Sequence, residues 1–296
     1  MEWIFAIQQA IHYMEAHLLE NLSYEDVAKQ VHISGYEFHR AFRFLTGMTA
    51  NAYIRSRRLS LAAKEIVETD FRITDVALKY GYDTPESFTK AFTRFHGIAP
   101  KFARNKTTKL RLFNPLSIKL TVEGGDSMDY RITQTQHQTF LAVVKSFRNE
   151  IINEEANHDV ADFWEECDQQ NRIRPLLDLR PVGKRDLFGL CSPAKEGADT
   201  FEYGIGILID DDTLPFDLAQ MEAAGYRIWD VEPGTYAVFD CMGTDGSCIS
   251  QTWSKFYREF LPQMGYTASE ATDYELYFET EQPGLFCQLW IPVQRK

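Results

Sequence analysis

Tyr36, His39, Arg40 and Arg43 follow one another at intervals of three, one and three residues, the spacing of one helix face. Such a face can address DNA, because a guanidinium such as that of Arg40 can reach guanine O6 and N7 together. Fifty residues on, Ser87, Thr89, Lys90 and Arg94 form a second polar face, suited to phosphate oxygens. A different chemistry lies near the C-terminus. Strand alternation puts Glu275 and Tyr277 on one side of the chain, with Tyr274, Leu276 and Phe278 on the other. A carboxylate among rings attracts a cation by charge, and the ring faces add to the attraction. Trp164, Tyr203, Trp253, Phe286 and Trp290 are candidate walls for such a site. Glu275 with Tyr277 would also permit general acid–base work. No GxSxG, P-loop or Cys–His spacing accompanies them, so no catalytic residue is assigned.

The two polar faces belong to a repeat. Phe38, Ala41, Phe42 and Gly47 recur as Phe88, Ala91, Phe92 and Gly97, each fifty residues later. Asp26-Val27-Ala28 recurs as Asp75-Val76-Ala77. Each copy reads as helix, tight turn, helix. In the first, Ser23 caps a short helix, and Ser34 with Glu37 forms a capping box for the next, which Gly47 ends. In the second, Thr74 and Asp75 open the short helix, Gly81 ends it, and Asp83 or Thr84 caps a helix with Pro85 in its first turn. Residues 50–69 between the copies read as one helix packing through Leu59, Ala62, Ala63 and Ile66. A rod of ~20 residues is ~30 Å long. That is close to the ~34 Å between successive major grooves on one side of a duplex, so two such units can read neighbouring grooves.

Charge divides the chain in the same place. The whole carries −12, but residues 1–110 hold fifteen bases against twelve acids, and residues 111–296 sixteen against thirty-one. Phe38–Lys64 and Ser87–Lys109 contain no acid at all, which suits a surface facing phosphates. Arg55, Arg57, Arg58, Lys101 and Arg104 are phosphate or structural candidates. The longest apolar stretches are about five residues, as in Phe140–Val144, so no membrane span is expected. Five cysteines without a CxxC argue against a disulfide framework or zinc site and for a reducing, cytoplasmic setting. His12 and His17, five apart on one helix, splay, and no metal or cofactor is expected. Glu154-Glu155 and Asp210-Asp211-Asp212 read as solvated loops.

Ile73, Val76-Ala77, Gly81-Tyr82, Ser87-Phe88, Phe92, Gly97 and Pro100 together resemble the DNA-binding domain of AraC/XylS-type transcription regulators, over residues 5–105. The resemblance implies that the first recognition helix makes most base contacts, which gives Tyr36, His39 and Arg40 that task. The second helix departs from a strongly basic pattern, opening on Pro85-Glu86, and is expected mainly to grip phosphate.

Residues 109–127 form the connection. Leu116, Ile118, Leu120 and Val122 alternate with polar residues, a strand period. From 128 onward a strand-helix-strand-strand pattern occurs twice: 130–147, 159–171, 186–191 and 201–210, then 227–242, 248–261, 274–280 and 285–293. The expected fold is therefore two domains. The first, 1–108, is all-α with two helix-turn-helix motifs joined by a long helix. The second, 128–296, is α+β, an antiparallel sheet with two helices on one side and a pseudo-twofold. Gly204 and Gly206 leave room there for a neighbour or ligand.

Val231–Phe239, Leu261-Pro262, Gly265-Tyr266, Asp273–Tyr277 and Trp290–Val293 resemble GyrI-like effector-binding domains. That family implies a cleft at the pseudo-dyad for small, often cationic or amphiphilic molecules, with Glu275 as its buried acid. The combined reading is a promoter-binding regulator, not an enzyme, that senses a small effector and, by resemblance, recruits RNA polymerase as an activator. Two alternatives stand beside it: a hydrolase of a reactive small molecule using Glu275, and a ligand-free module that touches another protein.

Overall fold

The computed structural model describes residues 2–105, 108–118, 128–148, 158–193 and 200–296. The chain divides into two compact units, Met1–Thr121 and Val122–Lys296. Among the described residues no helix is long and apolar enough to cross a membrane, and no group of three potential ligands could hold a metal ion.

The first unit is helical: α1 (Glu2–Ala16), α2 (Tyr24–Gln30), α3 (Gly35–Thr46), α4 (Ala50–Glu68), α5 (Ile73–Lys79), α6 (Pro85–His96) and α7 (Pro100–Ala103). Local sequence explains most of these limits. Ser23 and Asp26 complete a reciprocal capping box on α2. Ser34 and Thr84 cap α3 and α6 by accepting the Glu37 and Ser87 amides. Both long recognition helices stop on a left-handed glycine, Gly47 at φ 78° and Gly97 at φ 79°. One start differs from expectation: α5 opens at Ile73 behind Arg72, which makes no side-chain cap, and Thr74 lies inside the helix. The helix is held instead by packing, with Val76 and Ala77 buried beside Phe88, Phe92, Leu59 and Ile66.

The alternating stretch 116–122 lies mostly outside the described residues, which resume at 128; the described part of the connection, 109–118, carries no strand. Side chains of the helical unit take up its backbone groups instead. The Arg111 amide donates to His96 Nδ1 (3.2 Å), the Phe113 amide to Ser60 Oγ (3.0 Å) and the Leu116 amide to the Tyr53 hydroxyl (3.4 Å), while Arg57 donates to the Phe113 carbonyl. A backbone whose polar groups are met this way has no call for a strand partner.

The second unit is built from β1 (Arg131–Thr135), β2 (Gln138–Arg148), α8 (His158–Gln169), α9 (Arg174–Leu177), β3 (Leu187–Cys191), β4 (Thr200–Ile209), α10 (Leu218–Ala223), β5 (Tyr226–Val231), β6 (Gly234–Met242), α11 (Ser247–Lys255), a π-helical turn (Phe256–Phe260), α12 (Leu261–Gln263), β7 (Tyr266–Ala268), β8 (Asp273–Tyr277) and β9 (Leu285–Arg295). The expected single strands 130–147 and 227–242 are each broken in two, and the break has a use. The sheet order is β1-β6-β9-β8-β3-β4-β2-β5, with β7 paired to β9 off this path. Its inner six strands read alike from either end. Each half lends its leading strand to the other, since β1 pairs with β6 and β5 with β2.

The pseudo-dyad falls on the β3–β8 seam, where Leu187, Gly189 and Cys191 face Tyr277, Glu275 and Asp273. One sheet face packs Leu141, Val143, Tyr203, Ile205 and Ile207 against Phe163 and Cys167 of α8. The other packs Phe140, Phe188, Leu190, Tyr236, Val238 and Tyr274 together.

Candidate effector site and DNA-reading faces

Glu275 sits at the middle of β8, with β3 between it and β4. Three aromatic side chains converge on it. The Tyr203 hydroxyl donates to Glu275 Oε2 at 2.6 Å and the Tyr277 hydroxyl to the same oxygen at 3.0 Å. Trp164 Nε1 on α8 in turn donates to the Tyr203 hydroxyl at 3.0 Å. The Trp164 and Tyr277 rings meet edge to face at 5.0 Å, and Phe286 stands 5.8 Å beyond Tyr277. Burial, and then the Glu275 charge, push both phenols well above their usual range, so both remain donors at neutral pH. Hydrogen bonds of this kind hold the orientation of a carboxylate.

Trp253 lies on the same sheet face. Thr252, its neighbour on α11, meets the Cys241 thiol at 3.4 Å. Cys241 pairs with Cys287, which alternates with Leu289, the partner of Glu275. Trp253 itself stacks on Tyr257 at 6.0 Å and meets Phe256 edge-on at 5.6 Å.

Trp290 corrects the expectation. It is the cross-strand partner of Tyr274, one residue from Glu275, and therefore points to the opposite face. There it stacks on Tyr274 at 5.2 Å, with the Arg131 guanidinium 5.4 Å from its ring. Gly204 and Gly206 serve packing: the rings of Trp229 and the backbone around Leu141 and Ala142 fill the space a side chain would need. Of the acidic runs, Asp210 pairs with Arg180 and Asp212 with Lys184, while Glu154-Glu155 lies outside the described residues.

Gly189 is the residue that composition and spacing did not single out. A Cβ there would stand 2.1 Å from the Tyr203 hydroxyl and 2.5 Å from Glu275 Oε2. The phenol reaches the acid by crossing β3 over this one bare position.

In the first unit the α3 side chains order one another. Arg40 donates to the Tyr36 hydroxyl and lies over the Tyr36 ring at 5.3 Å. Its other neighbour, Phe44, is 6.0 Å away and also receives Arg43 at 5.9 Å. His39 is turned back toward Tyr24 of α2, ring to ring at 5.2 Å, with Nδ1 shut away from solvent and without a partner among the described residues. Burial, with Arg43 and Arg40 adding to it, brings His39 down to about 4. A ring so placed supports the α2–α3 turn. On α6 the residues Glu86, Ser87, Lys90 and Arg94 are exposed and Thr89 is half-buried.

Several cations of the acid-free zones are structural. Arg57 bonds Glu15 through two nitrogens, at 2.7 and 2.8 Å. Arg58 donates to the Leu18 carbonyl at 2.6 Å and to that of Glu20, and Arg104 donates to the Phe71 carbonyl. Each closes a loop or helix end that the chain leaves with open carbonyls.

Residues 27–106 match the family model of a helix-turn-helix domain, and residues 131–293 that of the integron-associated effector binding protein. The right origin-binding protein of Escherichia coli K12 is 25% identical over 304 residues, 98% of either chain. The HTH-type transcriptional activator AarP of Providencia stuartii is 36% identical over 102 residues, 34% of this chain and 76% of that one. The solved structure of SAV2435 bound to tetraphenylphosphonium is similar at 20% identity, over 56% of this chain and 94% of that one, with a TM-score of 0.45.

Proposed function

The chain belongs to the integron-associated effector binding protein family, here behind an AraC-type helix-turn-helix domain, and from that premise we propose a one-component regulator whose C-terminal unit reads a cationic aromatic effector at Glu275. The observation that carries the effector reading is the carboxylate bonded by Tyr203 and Tyr277, with the indole of Trp164 bonded in turn to Tyr203. Such an arrangement offers a fixed negative charge between ring faces, which suits a lipophilic cation better than a neutral molecule. The thirty-one acids against sixteen bases of residues 111–296 favour the approach of cations as well.

The first unit holds promoter DNA through two recognition helices. Arg40, preordered on Tyr36, reads bases with it from α3, and Arg43 adds phosphate contact. Ser87, Thr89, Lys90 and Arg94 grip phosphates from α6. RNA polymerase is the partner through which the complex activates transcription.

Calorimetric titration of the full chain with tetraphenylphosphonium tests the effector reading. Binding that Glu275→Gln abolishes supports it; equal heats for the two proteins, or none for the wild type, overturn it.

A further inference from the structure

We infer that Gly189 determines the charge selectivity of the Glu275 site, by leaving open the path along which Tyr203 reaches and orients the carboxylate. The inference rests on the effector reading above and names a residue that shapes that site's preference for positive charge.

A glycine inside a strand weakens it, so its presence needs a reason. Backbone conformation does not supply one, because Gly189 is not among the glycines with positive φ. Space does. Gly189 is the cross-strand partner of Glu275 on one side and of Ile205 on the other. Tyr203 lies on β4, two strands from Glu275, and its hydroxyl passes over β3 to make the 2.6 Å bond. A Cβ at position 189 would meet that hydroxyl at 2.1 Å, Tyr203 Cζ at 2.9 Å and Glu275 Oε2 at 2.5 Å. Every other amino acid therefore displaces either the phenol or the acid.

The pseudo-dyad gives this a second meaning. Strands β3 and β8 are twofold mates, and Gly189 occupies the place in β3 that Glu275 occupies in β8. A symmetric seam would bring two carboxylates together, and like charges so close would repel or share a proton. With glycine at this pair of positions no second carboxylate stands directly opposite Glu275, and the Tyr203 hydroxyl fills that space with a hydrogen-bond donor.

Tetraphenylphosphonium and tetraphenylborate have nearly the same shape and opposite charge, so the ratio of their affinities reads selectivity apart from fit. Titrations of the full chain compare the wild type with Glu275→Gln, Gly189→Ala, Tyr203→Phe and the double variant Gly189→Ala/Tyr203→Phe. Gly189→Ala and Tyr203→Phe should each weaken phosphonium binding roughly ten- to a hundredfold, the worth of a hydrogen bond to a charged group, and change borate binding by no more than about a few-fold. Tyr203→Phe adds no atom and serves if Gly189→Ala fails to fold. The double variant removes the hydroxyl that the new Cβ would strike, so its thermal midpoint should rise above that of Gly189→Ala while its cation affinity stays low. A merely structural glycine would recover both together. Wild-type phosphonium affinity in either single variant, or recovery of affinity with stability in the double, overturns the inference while the effector reading stands. If the wild type ignores phosphonium as Glu275→Gln does, the effector reading has failed and this inference falls with it.

Discussion

In the first helix-turn-helix copy Phe38 and Phe42 are fully buried, and in the second Phe88 and Phe92 are equally so, each pair in ring contact, at 5.6 and 5.4 Å. The outer surfaces of the same two helices share almost nothing. On α3 an arginine is tied to a tyrosine and flanked by a phenylalanine, while α6 opens on Pro85-Glu86 and exposes Lys90 and Arg94. Even the acid that braces each copy is repeated in kind and changed in setting: Glu15 accepts from Tyr53 and Arg57, Glu65 from Tyr80 and Lys79. Packing requirements kept the skeleton of the duplicated motif, because apolar volume and helix stops are set by the fold. The surface was released from that constraint and diverged into one ordered arginine–tyrosine face and one set of separate cations.

The largest effects should fall on the shared skeleton. Phe42→Ala and Phe92→Ala should each cost about 3–5 kcal/mol in denaturant unfolding followed by helical circular dichroism. A large inequality between them would show that the copies are not energetic equivalents. The surfaces should then separate in DNA binding. Arg40→Ala is expected to lose about 1–3 kcal/mol on a selected duplex, concentrated at one base pair. Lys90→Ala or Arg94→Ala should instead weaken all duplexes alike and reduce the slope of log K against log salt by about 0.9 each. Anisotropy titrations over a salt series distinguish these patterns, and base-specific losses from α6 variants would reverse the assignment.

The two helix stops give a finer comparison. Nothing stands within 4 Å of a Cβ built on Gly47 or Gly97, so alanine there carries only the conformational penalty of the left-handed region, about 1–2 kcal/mol and equal in both copies. Unequal losses would reveal strain that the similar dihedral angles conceal.

The smallest effect is the pH dependence of the two braces. Burial works to raise Glu15, but Arg57 and Tyr53 prevail and hold it below 4.5. Glu65 is likewise held down by Lys79 and Tyr80 against desolvation. A lowered folded-state value means stability fully present above the ordinary carboxylate range and lost as pH falls through the folded value. Acid unfolding of the wild type should therefore steepen below about pH 4.5, and Glu15→Gln should flatten that arm more than Glu65→Gln. The reason is that the Arg57 side chain is only 8% exposed whereas Lys79 is 46% exposed. Midpoint denaturant concentrations from pH 3 to 7 provide the measurement.

Much of this architecture was legible in the amino-acid order. The repeat of Phe38, Phe42 and Gly47 at fifty residues, the caps at Ser23, Ser34 and Thr84, and the alternation around Glu275 all act within a few residues, so they can be read locally. Charge was read less well. Arg57 and Arg58 stood open between phosphate and structural roles, and the fold commits them to structure, on a half-buried acid and on carbonyls beyond the end of α1, some forty residues away. The strand alternation of 116–122 lies outside the described residues from 119 on, and at its start the Tyr53 hydroxyl takes the Leu116 amide.

Periodicity within each segment settled which helices and strands form and which side chains share a face, because those preferences come from backbone geometry and neighbours a turn away. Only the folded sheet decided that Trp290 turns from Glu275 and that Gly189 lets Tyr203 reach it. Those outcomes depend on strand register between separate segments, Tyr274 with Trp290 in one case and Tyr203 with Glu275, 72 residues apart, in the other, and a shift of one residue there exchanges the two faces.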